Sequence, residues 1–254
     1  MNTVQYEKLF MVARFWLTGL AAADPRYYVA VKALDYFSNL HKNETRSNGA
    51  KGFYHQLSIL NFVRTQHASL TNPCDVYIAI LGHDGYEDYQ ERVLEIKRMF
   101  PDHFQYFHRL SKIRDGVKIT NEEYFDDIAT CAVCSVAKAG DRVHNFSTMA
   151  GAFSIDKQER YAEEGRTYFI PMLKQARRTF HSQEPVYEMF KSVLMMQIHS
   201  TDRLIEAVRK ERKKAEPAIK AEPEIKSVKP VQARSRKKTT KTTTGKATAE
   251  AGPT

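Results

Sequence analysis

Asn72-Pro73-Cys74-Asp75-Val76-Tyr77-Ile78-Ala79-Ile80-Leu81-Gly82-His83-Asp84 sets the pattern for the rest of the chain. Asn72 reads as an N-cap, and Pro73 as the first helical position, where a fixed φ and a missing N–H cost nothing. The helix is expected to run to about Asp84, so His83-Asp84 falls at its end.

The same punctuation recurs on both sides. Asp24-Pro25 opens a predicted helix through about His41, and a polar loop, 41–52, follows. Further helices are predicted near 53–66, 88–99 and 102–112. Thr120-Asn121-Glu122-Glu123 is a capping box that opens a long helix through about Phe146. Two more are expected near 155–180 and 185–210. Apolar residues recur at helical spacing, alternating strand-like runs are scarce, and no internal repeat is visible. The expected fold class is all-α: a helical bundle over residues 1–210 with a disordered basic tail over 211–254.

The chain has 254 residues, 42% of them hydrophobic, enough for a full-sized core. Three cysteines, Cys74, Cys131 and Cys134, exclude a disulfide scaffold and favour a reducing compartment. The net charge is +9, but the segment from Arg209 to Thr254 holds 14 Lys+Arg and 5 Asp+Glu, which is the whole excess. The body is neutral, so the basic balance describes the tail alone. After about Lys214 the composition turns to Pro, Lys, Thr, Ala and Glu without aromatics, which cannot bury enough surface to offset chain entropy. No apolar run is long enough for a transmembrane helix. Phe15–Ala23 has something of a leader's apolar core, but Glu7 precedes it and the region is barely cationic, so a buried first helix is the preferred reading. A cytoplasmic location is expected.

His83-Asp84 is a weak signal alone, because adjacent residues on a regular helix point about 100° apart. Its company strengthens it. His55 lies on the preceding helix, and Asp141 on the long later one, inside Gly140-Asp141-Arg142-Val143-His144-Asn145. Two imidazoles and two carboxylates make a mixed N/O divalent-ion site with positions left for water. Glu87 and Asp88 follow within one turn and can orient or deprotonate an attacking water. Asp141, Asn145 and Thr148 share a helix face, a row suited to a phosphorylated polyol ligand. Arg46, with Lys51 nearby, is a candidate phosphate clamp.

These pieces together resemble the hydrolase domain of the RelA/SpoT alarmone enzymes, a branch of the HD phosphohydrolases. His41 through Arg46-Ser47-Asn48-Gly49 looks like the family's His…Arg-Lys-Ser-Gly loop, and His55 follows its glycine by six residues as the family's first metal histidine does. His83-Asp84-Gly85-Tyr86-Glu87-Asp88 matches His-Asp-x-x-Glu-Asp. Leu110-Ser111-Lys112-Ile113 is similar to Leu-Thr-Lys-Leu. Asp141-Arg142-Val143-His144-Asn145 matches Asp-Arg-x-His-Asn, with Thr148 three residues on. The resemblance covers roughly residues 25–180.

The resemblance implies an HD-domain bundle in which His55, His83, Asp84 and Asp141 hold Mn²⁺, with Fe, Co or Zn as other ions such ligands accept. It implies that Glu87 and Asp88 position or activate water, and that Arg46, Asn48, Lys112, Asn145 and Thr148 line the guanosine nucleotide. The reaction would be hydrolysis of the 3′-diphosphate of (p)ppGpp to GDP or GTP and pyrophosphate, in a hydrolase-only enzyme of the stringent response. Departures from the family pattern are Ser47 for lysine, Asn48 for serine, Gln56 for proline, Tyr89 for threonine and Gly140 for alanine. They leave every metal ligand in place and bear on the substrate. The alternatives are an HD phosphohydrolase for another nucleotide, or a non-catalytic HD scaffold whose tail binds.

Other features read more plainly. Cys131-x-x-Cys134 is expected as two small core residues one turn apart on a helix, since no second pair exists to complete a zinc site. The stripe Phe190, Val193, Leu194, Met195 and Ile198 is core or interface. His144 is expected as a supporting residue, and His41 and His67 as structural. The tail is open to three readings: non-specific nucleic-acid contact through phosphates, a solvated charge run, or an anionic-membrane tether. Arg234-Ser235-Arg236-Lys237-Lys238 also resembles a nuclear targeting patch.

Overall fold

A computed structural model describes residues 3–45 and 49–220. The described residues up to Arg212 form one compact unit. Helix dominates, as expected. Helices α1 (Thr3–Ala23) and α2 (Tyr28–Leu40) are joined by a 3₁₀ turn, Pro25–Tyr27, capped by Asp24, whose carboxylate accepts from the Arg26 amide. Next come α3 (Tyr54–Val63) and α4 (Pro73–Gly82). The predicted 88–99 helix is broken: α5 (Gly85–Asp88) is a single turn, and α6 (Val93–Met99) starts after a 3₁₀ turn. Then follow α7 (Phe104–Leu110), α8 (Asn121–Ala129), α9 (Ala132–Met149), α10 (Ile155–Glu164), α11 (Ile170–Thr179) and α12 (Glu184–Lys220). A π-helical turn, Gly165–Phe169, lies between α10 and α11.

Helix α4 is the centre of the bundle, packed against α2, α3 and α9. From Val76 to Leu81 its side chains are inaccessible to water, Tyr77 included. Two glycines set the close approaches that frame the site. A Cβ on Gly82 would stand 2.5 Å from the Phe107 ring and 2.6 Å from that of Phe37, so the end of α4 sits tightly between α2 and α7. A Cβ on Gly140 would stand 2.6 Å from Ile59 Cγ2. That small residue lets α9 approach α3, which brings Asp141 beside His55.

Three expectations need correction. The helix from Thr120 to Phe146 is two helices. Thr120 caps α8 with a full capping box, but Cys131 turns extended (φ −123°, ψ 114°) and serves as the N-cap of α9. Cys131 and Cys134 are core residues, as expected, but stand at the N-cap and in the first turn of α9 rather than mid-helix. Second, a short antiparallel hairpin, β1 (Ile113–Arg114) with β2 (Val117–Lys118), follows α7. Its turn is Asp115-Gly116, with φ 51° and 80°, the pair of positive angles a two-residue hairpin requires. Third, α12 continues to Lys220, so 211–220 is helical where disorder is expected. The rest of the tail, 221–254, lies outside the described residues. No helix among the described residues is long and apolar enough to cross a membrane.

Candidate metal centre

Each proposed ligand sits where an element begins or ends, or on a helix drawn close. His55 is in the first turn of α3 and 2% exposed. His83 closes α4, and Asp84 opens α5. That interruption lets two adjacent residues serve one site, which a continuous helix would not. Asp141 is in the third turn of α9, 8% exposed.

Ligand atoms of His55, His83 and Asp84 lie within 4.8 Å of one another. Asp141 Oδ1 is 3.0 Å from His55 Nε2 and 3.9 Å from His83 Nε2. His83 Nδ1 donates to the Ile80 carbonyl at 2.7 Å. Its buried Nε2 has no hydrogen-bond partner among the described residues and stands 3.1 Å from Asp84 Oδ1. A neutral ring with Nδ1–H as donor turns its Nε2 lone pair toward the two carboxylates, an arrangement that a cation between them would relieve. The donor set, two imidazoles and two carboxylates, fits a divalent ion there.

The supporting contacts agree with that fit. The two Nδ1 atoms of His55 and His144 are 2.7 Å apart, so giving the His55 Nε2 lone pair to an ion leaves its Nδ1–H to donate to His144. Gln56 Nε2 donates to Asp84 Oδ2 at 2.9 Å. Asn145 Nδ2 donates to Asp141 Oδ1 at 2.6 Å, and Lys138 Nζ to Asp141 Oδ2 at 2.8 Å. Burial raises the Asp141 carboxyl, but the Lys138 charge and the His55 hydrogen bond overcome it and hold Asp141 well below the ordinary range. Burial opposes the charge of Lys138, yet Asp141 carries its net shift upward. Burial lowers the His55 imidazole below its ordinary value, against the opposing pull of Asp141.

The acidic pair is arranged unequally. Glu87 Oε2 accepts from Ser111 Oγ and from the Lys112 amide, both at 3.0 Å, which fixes its direction. Among the described residues none donates such a hydrogen bond to Asp88. Partial desolvation, then the Asp84 and Glu44 charges, push its carboxyl up to about 6. One carboxylate is thus oriented and the other is poised to exchange a proton near neutrality.

The proposed substrate residues are placed less uniformly. Arg46 and Asn48 lie outside the described residues. Lys112 Nζ donates to Asn121 Oδ1 at 2.9 Å and Glu164 Oε1 at 3.1 Å, so its amine serves the joint between α8 and α10. Thr148 Oγ1 donates to the helix backbone at His144 O, 3.2 Å away. Asn145 donates to the Asp141 carboxylate, a candidate ligand. Lys51 pairs with Glu7 at 3.0 Å and lies over the Tyr6 ring. His41 is buried and paired with Glu44, and His67 with the Tyr77 hydroxyl.

Sequence reasoning missed two supporting side chains. Lys138 stands three residues before Asp141, an i,i+3 spacing that marks an ion pair on one face. Gln56 gives no such signal, because its contact is to a different helix. A scan against protein-family models finds no match for this chain, and a search of curated proteins finds none either.

Proposed function

We propose that this chain is an HD-type, metal-dependent phosphohydrolase that removes the 3′-diphosphate of (p)ppGpp, giving GDP or GTP and pyrophosphate. The observation that supports it most is the unpartnered, buried Nε2 of His83, facing the carboxylates of Asp84 and Asp141 with His55 alongside. The order of the motifs along the chain favours this branch of the HD enzymes.

His55, His83, Asp84 and Asp141 would hold the ion, and Mn²⁺ suits their mixed nitrogen and oxygen donors. When bound, it would supply Lewis-acid charge against the phosphoryl oxygens and acidify a water. The chain's own residues supply the rest. Glu87, steadied by Ser111 and the Lys112 amide, orients the attacking water. Asp88 accepts its proton. Lys138 and Asn145 hold Asp141, and Gln56 holds Asp84. Arg46 and Asn48 are proposed at the guanosine nucleotide.

The test is incubation of the purified protein with Mn²⁺ and ppGpp, with GTP, dGTP and NADPH in parallel. Products are resolved by anion exchange. GDP and pyrophosphate from ppGpp alone is the expected result. Turnover of another nucleotide instead would transfer the same metal site to a different substrate. No turnover with metal bound would sink the enzymatic reading.

A further inference from the structure

Cys131 and Cys134 are free thiols at the start of α9, at the end opposite Asn145. Cys131 is the N-cap, and its Sγ accepts from the Cys134 amide at 3.4 Å. The Cys134 Sγ also lies 3.9 Å from the Tyr106 carbonyl oxygen. The extended Cys131 backbone carries its Sγ over the first turn of α9, within hydrogen-bonding reach of both the amide and the thiol of Cys134. A disulfide asks for Cβ atoms about 3.5–4.5 Å apart. The two thiols are unequal in access. Cys131 keeps 9% exposure, whereas Cys134 has none.

We propose that Cys131 and Cys134 form a thiol–disulfide exchange site, with Cys131 as the attacking sulfur, Cys134 as the resolving one, and a low-molecular-weight disulfide such as that of glutathione as the oxidant. The Cys131 thiolate attacks one sulfur of the small disulfide, breaking its S–S bond, forming a mixed disulfide and releasing one small thiolate, which takes up a proton. Cys134 then gives up its proton and attacks Cys131 Sγ, expelling the second small thiol. Two protein thiols become one disulfide, and one small disulfide becomes two thiols, so the electron pair and both protons are accounted for.

The electrostatics match this division of labour. The Cys134 thiol hydrogen bond, acting against burial and joined by the Cys134 and Val133 amides and the Arg109 guanidinium, draws the Cys131 thiol down to about 6. The α9 dipole acts in the same direction. Burial, with Cys131 next to it, pushes Cys134 well above its ordinary value. Cys74 is the internal control. It has the same 9% exposure, but burial and the Asp75 charge push its thiol up to about 12.

The experiment treats the full chain with excess glutathione disulfide at neutral pH, quenches in acid, then unfolds, alkylates and reads the intact mass. The expected product carries one alkyl group, on Cys74, and has lost two hydrogens. Dithiothreitol restores three alkylated thiols. Cys134→Ser is expected to accumulate one glutathionyl group on Cys131, and Cys131→Ser to slow reaction at the pair by about tenfold or more. Three alkylated cysteines in the oxidised wild type would overturn the proposal, as would glutathionylation of Cys74 as fast as Cys131.

Discussion

Lys138 Nζ stands 2.8 Å from Asp141 Oδ2, three residues apart on α9, and the two side chains are 18% and 11% exposed. The carboxylate divides its oxygens. Oδ2 takes the lysine, while Oδ1 faces His55, His83 and Asn145. A buried carboxylate that must stay ionised for an ion is thereby kept ionised before any ion arrives. Lys138→Met should leave that charge uncompensated and destabilise the metal-free protein by about 3 kcal/mol. Urea unfolding in the presence of a chelator measures it, and added Mn²⁺ should recover part of the loss. An unchanged unfolding midpoint would mean that Lys138 does not hold Asp141.

His83→Gln removes the candidate ligand nitrogen that no described protein group satisfies. Mn²⁺ at about a hundred times its dissociation constant should stabilise the wild type by about 2.7 kcal/mol, and the variant by almost nothing. Thermal melts with and without metal, alongside metal content by mass spectrometry, read both. Glu87→Gln should keep the shift and the metal, because Glu87 is tied to Ser111 and the Lys112 amide rather than to the ligand cluster. Equal metal shifts in wild type and His83→Gln would remove the centre from the reading.

Gln56 follows the first proposed ligand directly and donates to Asp84 across the gap between α3 and α5. Loss of such a supporting hydrogen bond to a ligand weakens metal binding by roughly 10–100-fold. Gln56→Ala should fall in that range by calorimetric titration while the circular dichroism spectrum is kept. No change in affinity would reduce Gln56 to a packing residue.

These three residues show what was legible in the sequence. His83-Asp84 stands out because Asn72-Pro73 marks the helix that it ends, and Glu87-Asp88 and Asp141 stand out by their spacing from it and their motif. The Gln56 contact crosses between elements, and sequence spacing encodes no such distance. The break before α9 was missed because its N-cap is a cysteine, not one of the Ser, Thr, Asp or Asn signals that announce a helix start. The hairpin had its signal, Asp115-Gly116, but strands of two residues give no alternation to detect. The close approach of α3 to α9 depended on Gly140, which in the sequence is only a departure from alanine.

Glu164 links α10 to the site's supporting shell. It pairs with Arg142, which is buried and lies over the Tyr161 and Phe169 rings, and with Lys112 at 3.1 Å. Burial raises its carboxyl, but the Arg142 and Lys112 charges outweigh that and leave it below the ordinary glutamate value. A depressed carboxyl stabilises the fold above its unfolded value, about 4.3, and the contribution is lost as pH falls through the lower folded value. Glu164→Gln should therefore cost about 2–3 kcal/mol at neutral pH, near the low end for a broken buried pair. The gap between variant and wild type should narrow steadily below about pH 4. Denaturation across a pH series reads it, and a gap independent of pH would mean that the charge of Glu164 plays no part.

Ser111 tests the acidic pair without touching a ligand. It is fully buried, its hydroxyl is 3.0 Å from Glu87 Oε2, and it sits just ahead of the hairpin whose turn requires Gly116. Ser111→Ala leaves Glu87 with the Lys112 amide alone, so the carboxylate can swing. If Glu87 orients the attacking water, turnover should fall by about tenfold, the worth of one lost hydrogen bond of ~1.4 kcal/mol. Metal content and the metal-induced rise in melting temperature should stay at wild-type levels. A parallel loss of metal would place Ser111 in the ligand shell instead, and full turnover would mean that the direction of Glu87 does not matter to the reaction.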